Sequence, residues 1–363
     1  MKISLYLSLS LCLLVLVPAC GTEVEPRILS ALYGYDGCIG GVRGLQTEQE
    51  YLQDLSSRGC TVENGRTNVA ARSSLMLACR DWRFWTLSWL DGIPLVFNFP
   101  LEGRPSREAL EVELSDGSVV SPVCVMLGPA NEANELDTLL LLGHFGDGRA
   151  DTLRPARVSV VSDFSLRGPA GPLSALGVSY TNQEDFLYPT STVRLTSAKL
   201  WDVEANPEDF PAPTWPLPSS VYPNHCGALY PTTSHVLRAT FSGGVTTDGV
   251  SSVLPTNRNI FSLTSPQHGA LAYLGLADLG QGLGEGEEGD YQQDGDNYLD
   301  ICLHLAQDDP LLSGDLLLSV LCDPDLPSSV LYPPKGKPAG CSPQQVTLST
   351  DNLQPNIIMS WTV

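Results

Sequence analysis

The stretch ALEVELSDGSVVSPVCVML, residues 109–127, leaves this chain little choice of secondary structure. Leu110, Val112 and Leu114 alternate with Glu111 and Glu113. A period of two puts the apolar side chains on one face of a strand and the carboxylates on the other, a spacing no helix face shares. Asp116-Gly117 follows as a two-residue hairpin turn, because a turn of the I′ type needs positive φ at both central positions. Short apolar runs recur at PLVFNFP (94–100), TLLLLGHFG (138–146) and ARVSVVSDF (156–164), with turn residues between them. Short strands separated by turns roughly every ten residues are the pattern of an antiparallel β-sandwich.

The same scheme returns further along. VLRATFSGG (236–244) echoes PLVFNFPLEG (94–103), YLDICLHLA (298–306) stands where TLLLLGHFG stood, and DLLLSVLCD (315–323) echoes ARVSVVSDF. Between the two sets lies FPAPTWPLPSSVYP (210–223), whose five prolines make a semi-rigid linker. The expected architecture is therefore all-β, with β-sandwich units at 93–200 and 224–363 and a Pro-rich linker at 201–223. Residues 20–92 form a small cysteine-containing module with one helix. Thr47 and Glu50 make its capping box, Tyr51, Leu52 and Leu55 follow at helical spacing, and Gly59 ends it. Trp85, Leu87 and Trp89 then alternate as in a strand. Their ring area serves core or interface packing; a sugar-stacking platform of Trp82, Trp85 and Trp89 is the alternative. With 42 % of residues apolar, the 33 glycines and 28 prolines mark turns rather than disorder.

Phe97-Asn98-Phe99, followed by L-x-V-x-L-S-D-G-S-V-V at 110–120, resembles bacterial Ig-like domains of the surface-layer type over about 95–163. The resemblance implies Ig-like sandwich units used as stalks, spacers or adhesion modules, without catalytic residues.

The first residues give an address. Lys2 precedes an apolar run, Ile3 to Val17, and small residues follow it, so 1–19 reads as a secretory signal peptide. The run is shorter than the roughly 20 residues a membrane-crossing helix needs. Val17-Pro18-Ala19-Cys20-Gly21 resembles a bacterial lipobox, which implies that Cys20 is lipidated and that the only membrane contact is an N-terminal lipid anchor. The expected location is then the outer membrane or cell surface; ordinary cleavage after Ala19 or Gly21, with secretion, is the alternative. Beyond Cys20 stand Cys38, Cys60, Cys79, Cys124, Cys226, Cys302, Cys322 and Cys341. Their even number fits paired thiols in an exported chain, with connectivity left open. The absence of an Asn-x-Ser/Thr sequon leans toward a bacterial origin. A net charge of −21 excludes nucleic acid as a partner, since binding phosphates needs basic patches.

Much of that charge sits in one place. Glu285, Glu287, Glu288, Asp290, Asp294, Asp296 and Asp300 fall within GEGEEGDYQQDGDNYLD (284–300). Along 298–305, Leu299, Ile301, Leu303 and Leu305 share one face of a strand, so Asp300, Cys302 and His304 share the other. Asp290, Asp294, Asp296, Asn297 and Asp300 are the candidate ligands for a hard cation such as Ca²⁺, which takes oxygens from flexible loops. An EF-hand is excluded, because Asn297 and Leu303 occupy the positions that need Gly and Glu. QQDGDNYLDIC (292–302) resembles instead the thrombospondin type 3 calcium repeat, D-x-D-x-D-G-x-x-D-x-C, at Asp294, Asp296, Asp300 and Cys302; Gln292 and Asn297 depart from it. The resemblance implies that these aspartates ligate calcium. A solvated acidic loop without an ion is the alternative.

Other chemistry has weaker signals. A glycosidase pair needs carboxylates at fixed separation, which a Gly-rich loop does not supply. His225 and His235 beside Cys226 offer a soft-metal site for copper or zinc. G-x-S-x-G, P-loop and dinucleotide-binding motifs are missing. The expected function is that of an exported, lipid-anchored, non-enzymatic envelope protein for structure, adhesion or ligand binding, with a protein or glycan partner and calcium as stabiliser. A secreted carbohydrate-active enzyme and a copper- or zinc-binding surface protein are the alternatives.

Overall fold

The computed structural model describes residues 25–33, 62–63, 66–67, 91–127, 136–146, 153–181, 186, 193–202, 226–247, 253, 255, 257–277, 297–306, 315–322, 331, 343–348 and 359–362. Up to residue 180 the strands are β1 (Ile28–Ala31), β2 (Val62–Glu63), β3 (Arg66–Thr67), β4 (Asp91–Phe97), β5 (Leu110–Leu114), β6 (Val119–Val120), β7 (Cys124–Met126), β8 (Thr138–Gly143), β9 (Pro155–Val160), β10 (Ser165–Gly168), β11 (Gly171–Ser174) and β12 (Ser179–Tyr180). Then come β13 (Leu195–Asp202), a four-residue helix α1 (Cys226–Leu229), β14 (His235–Phe241), β15 (Phe261–Ser265), β16 (Gly269–Leu271), β17 (Gly275–Ala277), β18 (Tyr298–Leu303), β19 (Leu316–Val320), β20 (Gln344–Leu348) and β21 (Met359–Thr362). The chain is all-β and its strand pairs are antiparallel.

Two sandwiches account for most of these strands. In the first, the sheet β1-β4-β8-β7 faces β12-β9-β5-β6. Ile93, Leu95, Phe97, Leu139 and Leu141 from one sheet meet Leu110, Val112, Leu114, Val158 and Val160 from the other. In the second, β17-β18-β14-β13-β21 faces β16-β15-β19-β20. Leu237, Ala239, Phe241, Leu299, Ile301 and Leu303 there close over Leu263, Leu316, Leu318 and Val346. The alternation read in β5 holds: Leu110, Val112 and Leu114 are buried, while Glu111 and Glu113 are half-exposed. Its turn is one residue longer than Asp116-Gly117 implied. Leu114 and Ser118 close a loop of Ser115, Asp116 and Gly117, in which Gly117 takes φ 84°. A three-residue loop ending in a left-handed glycine joins twisted strands as well as a two-residue turn does.

The repeat extends to single hydrogen bonds. β1 opposes Phe97 through Ile28 and then slips register at Ser30; β13 opposes Phe241 through Leu195 and slips at Ser197. Asn98 Oδ1 accepts from the Arg27 N–H at 2.8 Å, and Ser242 Oγ accepts from the Arg194 N–H at 2.9 Å. The Phe97 N–H donates to the Asp137 carbonyl, and the Phe241 N–H to the Asn297 carbonyl, each at 2.8 Å. A bulge of this kind bends the first strand of each unit at the same point of its sheet.

Strand pairing draws the boundaries differently from composition. β1 falls within 20–92, yet it pairs with β4 of the first sandwich. β13 straddles the proposed end of that unit at residue 200, yet it pairs with β14 and β21 of the second. Strands are claimed by hydrogen bonds to partners distant in sequence, which local composition does not record. The helix expected from Thr47 and the tryptophans at 82, 85 and 89 lie outside the described residues.

An antiparallel sandwich usually shows one face of each sheet to water. Here every residue of β4, β8, β14 and β18 is buried, so the outward faces of the two central sheets are covered as well.

Candidate functional site

Polar chemistry concentrates on the outward face of the second central sheet. Its inward face takes Leu237, Ala239 and Phe241, which sends Arg238 and Thr240 outward. Register places Lys199 opposite Arg238 and Arg238 opposite Asp300, so one row across three strands carries three charges. Arg238 donates from Nε to Asp300 Oδ1 at 2.7 Å and from Nη2 to Oδ2 at 2.8 Å. Such a two-point pair fits the planar guanidinium and fixes the orientation of both groups. The guanidinium carbon also lies 5.4 Å from the ring centroids of both Trp201 and Tyr298.

The first sandwich supplies the fourth charge. Lys199 Nζ lies 2.5 Å from Asp137 Oδ2, with both side chains only 2 % exposed. Beside it, Thr138 Oγ1 and the Tyr298 hydroxyl are hydrogen-bonded at 2.7 Å, and Asn297 Nδ2 donates to Thr138 Oγ1 at 2.9 Å and to the Phe241 carbonyl at 3.0 Å. The junction is thus a buried, charge-balanced set: Lys199 and Arg238 against Asp137 and Asp300. Stripping water from an ion costs several kcal/mol, so such a set is held only where each charge meets its partner. Its value lies in fixing which surfaces meet.

Two of the five expected calcium ligands are in this set. Strand alternation placed Asp300 on the face away from the core, and that is where it lies. The face is closed, however, and both carboxylate oxygens accept from Arg238. Asp300 is therefore a structural anion of the sheet, which its neighbours in sequence do not reveal because Arg238 comes 62 residues earlier. Asn297 is fully buried and uses its amide nitrogen to tie the two sandwiches together. Asp290, Asp294 and Asp296 lie outside the described residues. Among the described residues no three His, Cys, Asp or Glu side chains come together in a way that could hold a metal ion.

Cys302 shares the outward face with Asp300 and is disulfide-bonded to Cys226. The bond presses α1 onto the sheet, where Cys226, Val236, Ala277 and Cys302 form a small apolar cluster flanked by Leu229 and Tyr230. Gly275 makes room for it, since a Cβ there would lie 1.9 Å from the Tyr230 hydroxyl oxygen. The soft-metal reading of His225, Cys226 and His235 loses its thiolate to this disulfide. His235 accordingly turns to Ser234, its Nδ1 lying 2.8 Å from that hydroxyl. Cys124 and Cys322 are disulfide-bonded too. Cys20, Cys38, Cys60, Cys79 and Cys341 lie outside the described residues.

Lys199, Arg238 and Asp137 escaped the sequence reading. The signal was present for two of them: SAKLW and VLRATF each set one charge inside a largely apolar run, as YLDIC does for Asp300. What sequence alone withholds is that these charges fall at one level. Comparison with protein-family models, curated proteins and solved structures finds no match for the chain.

Proposed function

We propose that the protein is an exported, non-enzymatic component of the bacterial envelope, anchored through lipidated Cys20, whose two Ig-like sandwiches act as one stiff stem for structure or adhesion. The observation that carries this reading is the closed polar junction, in which Lys199 of one sandwich meets Asp137 of the other at full burial. A flexible spacer would keep such residues in water; a stem that transmits force needs units that cannot turn on each other. Strand order supports the Ig-like part. Lettered in chain order, β1, β4, β8 and β7 are A, B, E and D, opposite β12, β9, β5 and β6 as G, F, C and C′. The second sandwich repeats this arrangement from β13 to β20.

Calcium belongs to the proposal through Asp290, Asp294 and Asp296 only, with Asn297 and Asp300, both buried at the junction, removed from the ligand set. Two measurements test the whole. Fatty-acid labelling of the expressed protein should be lost in Cys20→Ala, and unlabelled, freely released wild-type protein would remove the anchor. Calorimetry of the full chain should show both sandwiches melting together. Two separate transitions, neither moved by Lys199→Met, would remove the stiff stem.

A further inference from the structure

We infer that Lys199 and Asp137 condense to an amide, a covalent cross-link between the two sandwiches. Lys199 Nζ lies 2.5 Å from Asp137 Oδ2 with both side chains 2 % exposed. A nitrogen hydrogen-bonded to a carboxylate oxygen sits close to the near-attack distance of about 3–3.5 Å from the carboxyl carbon, where held reactants gain effective molarities of about 10⁵ M or more. Both groups are held. Lys199 is in mid-strand, paired to Arg238 on one side and Ser360 on the other. Asp137 is fixed by its carbonyl, which accepts from the Phe97 N–H at 2.8 Å, and by the start of β8 at the next residue.

The pair supplies everything the reaction consumes. A proton passes from Nζ to Oδ2 along their hydrogen bond, leaving a neutral amine and a neutral acid. The Nζ lone pair attacks Cγ, and the Cγ–Oδ2 bond breaks. Oδ2 leaves as water with the proton it received and a second one from the nitrogen. One hydrogen stays on the amide, and no oxidant, reductant or co-substrate is involved.

Burial favours the product. In water, solvation of both ions holds an amine and a carboxylate apart. At this site that solvation is gone, and a desolvation penalty of several kcal/mol per ion falls on the ion pair and not on the amide. Asp137 Oδ1 has no hydrogen-bond partner in its buried position, which is costlier for a carboxylate than for an amide carbonyl. Condensation also removes the positive charge directly opposite Arg238, and like charges at opposed sheet positions repel. Arg238 and Asp300 remain as a balanced pair.

Peptide mapping of the purified full-length protein tests this. After reduction and cleavage at lysine and arginine, the cross-link joins residues 108–149 to residues 195–238, uncut at Lys199. The joined species is lighter than the two peptides together by one water, about 18 Da. Recovery of 195–199 and 200–238 as separate peptides from folded protein overturns the inference and leaves an ion pair only. Lys199→Arg keeps the charge but not the amine, so its map should contain the separate peptides. Persistence of a joined species in that variant would also overturn the inference.

Discussion

Arg238 and Asp300 face each other across β14 and β18 with two hydrogen bonds, at 2.7 and 2.8 Å, and side-chain exposures of 1 % and 2 %. At the matching register of the first sandwich, Pro94 opposes Leu140, so the equivalent sheet of that unit carries an apolar pair there. Asp300→Ala should therefore destabilise the protein by about 3–5 kcal/mol, because it strands a buried guanidinium. The double variant Arg238→Met with Asp300→Leu should recover most of that loss. Urea midpoints of the three proteins decide it; a double variant as unstable as Asp300→Ala would show that the charges themselves are required.

The Cys226–Cys302 bond closes a loop of 76 residues. Loop-closure entropy puts its contribution at about 4 kcal/mol. Replacing both cysteines with alanine should lower the melting temperature accordingly, and α1 should become the first segment to exchange its amide hydrogens. Unchanged exchange over 226–230 would mean that apolar packing alone holds the helix.

Glu108 carries a pH dependence of its own. The Ser106 hydroxyl and then Arg107 hold its carboxyl at about 2, below its ordinary 4.5. A carboxylate lowered by folding stabilises above its unfolded value, and that contribution is lost as pH falls from about 4.5 toward about 2. The group is solvent-exposed, so the effect is small. Comparing urea midpoints of wild type and Glu108→Gln across this window should show the wild-type advantage shrinking with acid. A constant difference would contradict the assignment.

Calcium and the buried ion pair make separable claims. Millimolar Ca²⁺ should raise the melting temperature of wild type and not of a variant with Asp294→Asn and Asp296→Asn. Asp300→Ala should lose the same stability with and without the ion. A calcium response that vanishes with Asp300 would restore it as a ligand.

Sequence alone determined the class of fold and its doubling. Period-two runs such as Leu110–Glu111–Val112–Glu113–Leu114, and the echo of 138–146 in 298–306, are local facts, because strand alternation is a property of neighbouring residues. The inward set Leu299, Ile301 and Leu303 was legible for the same reason. Tertiary structure decided what stands on the other face. Whether Asp300 meets water, an ion or an arginine depends on which strand pairs with β18 and at what register. Lys199 meets Asp137 because two sandwiches close on each other, and their separation of 62 residues leaves no local trace. Alternation says only that a side chain points away from its own core; whether a second surface covers it is settled by packing.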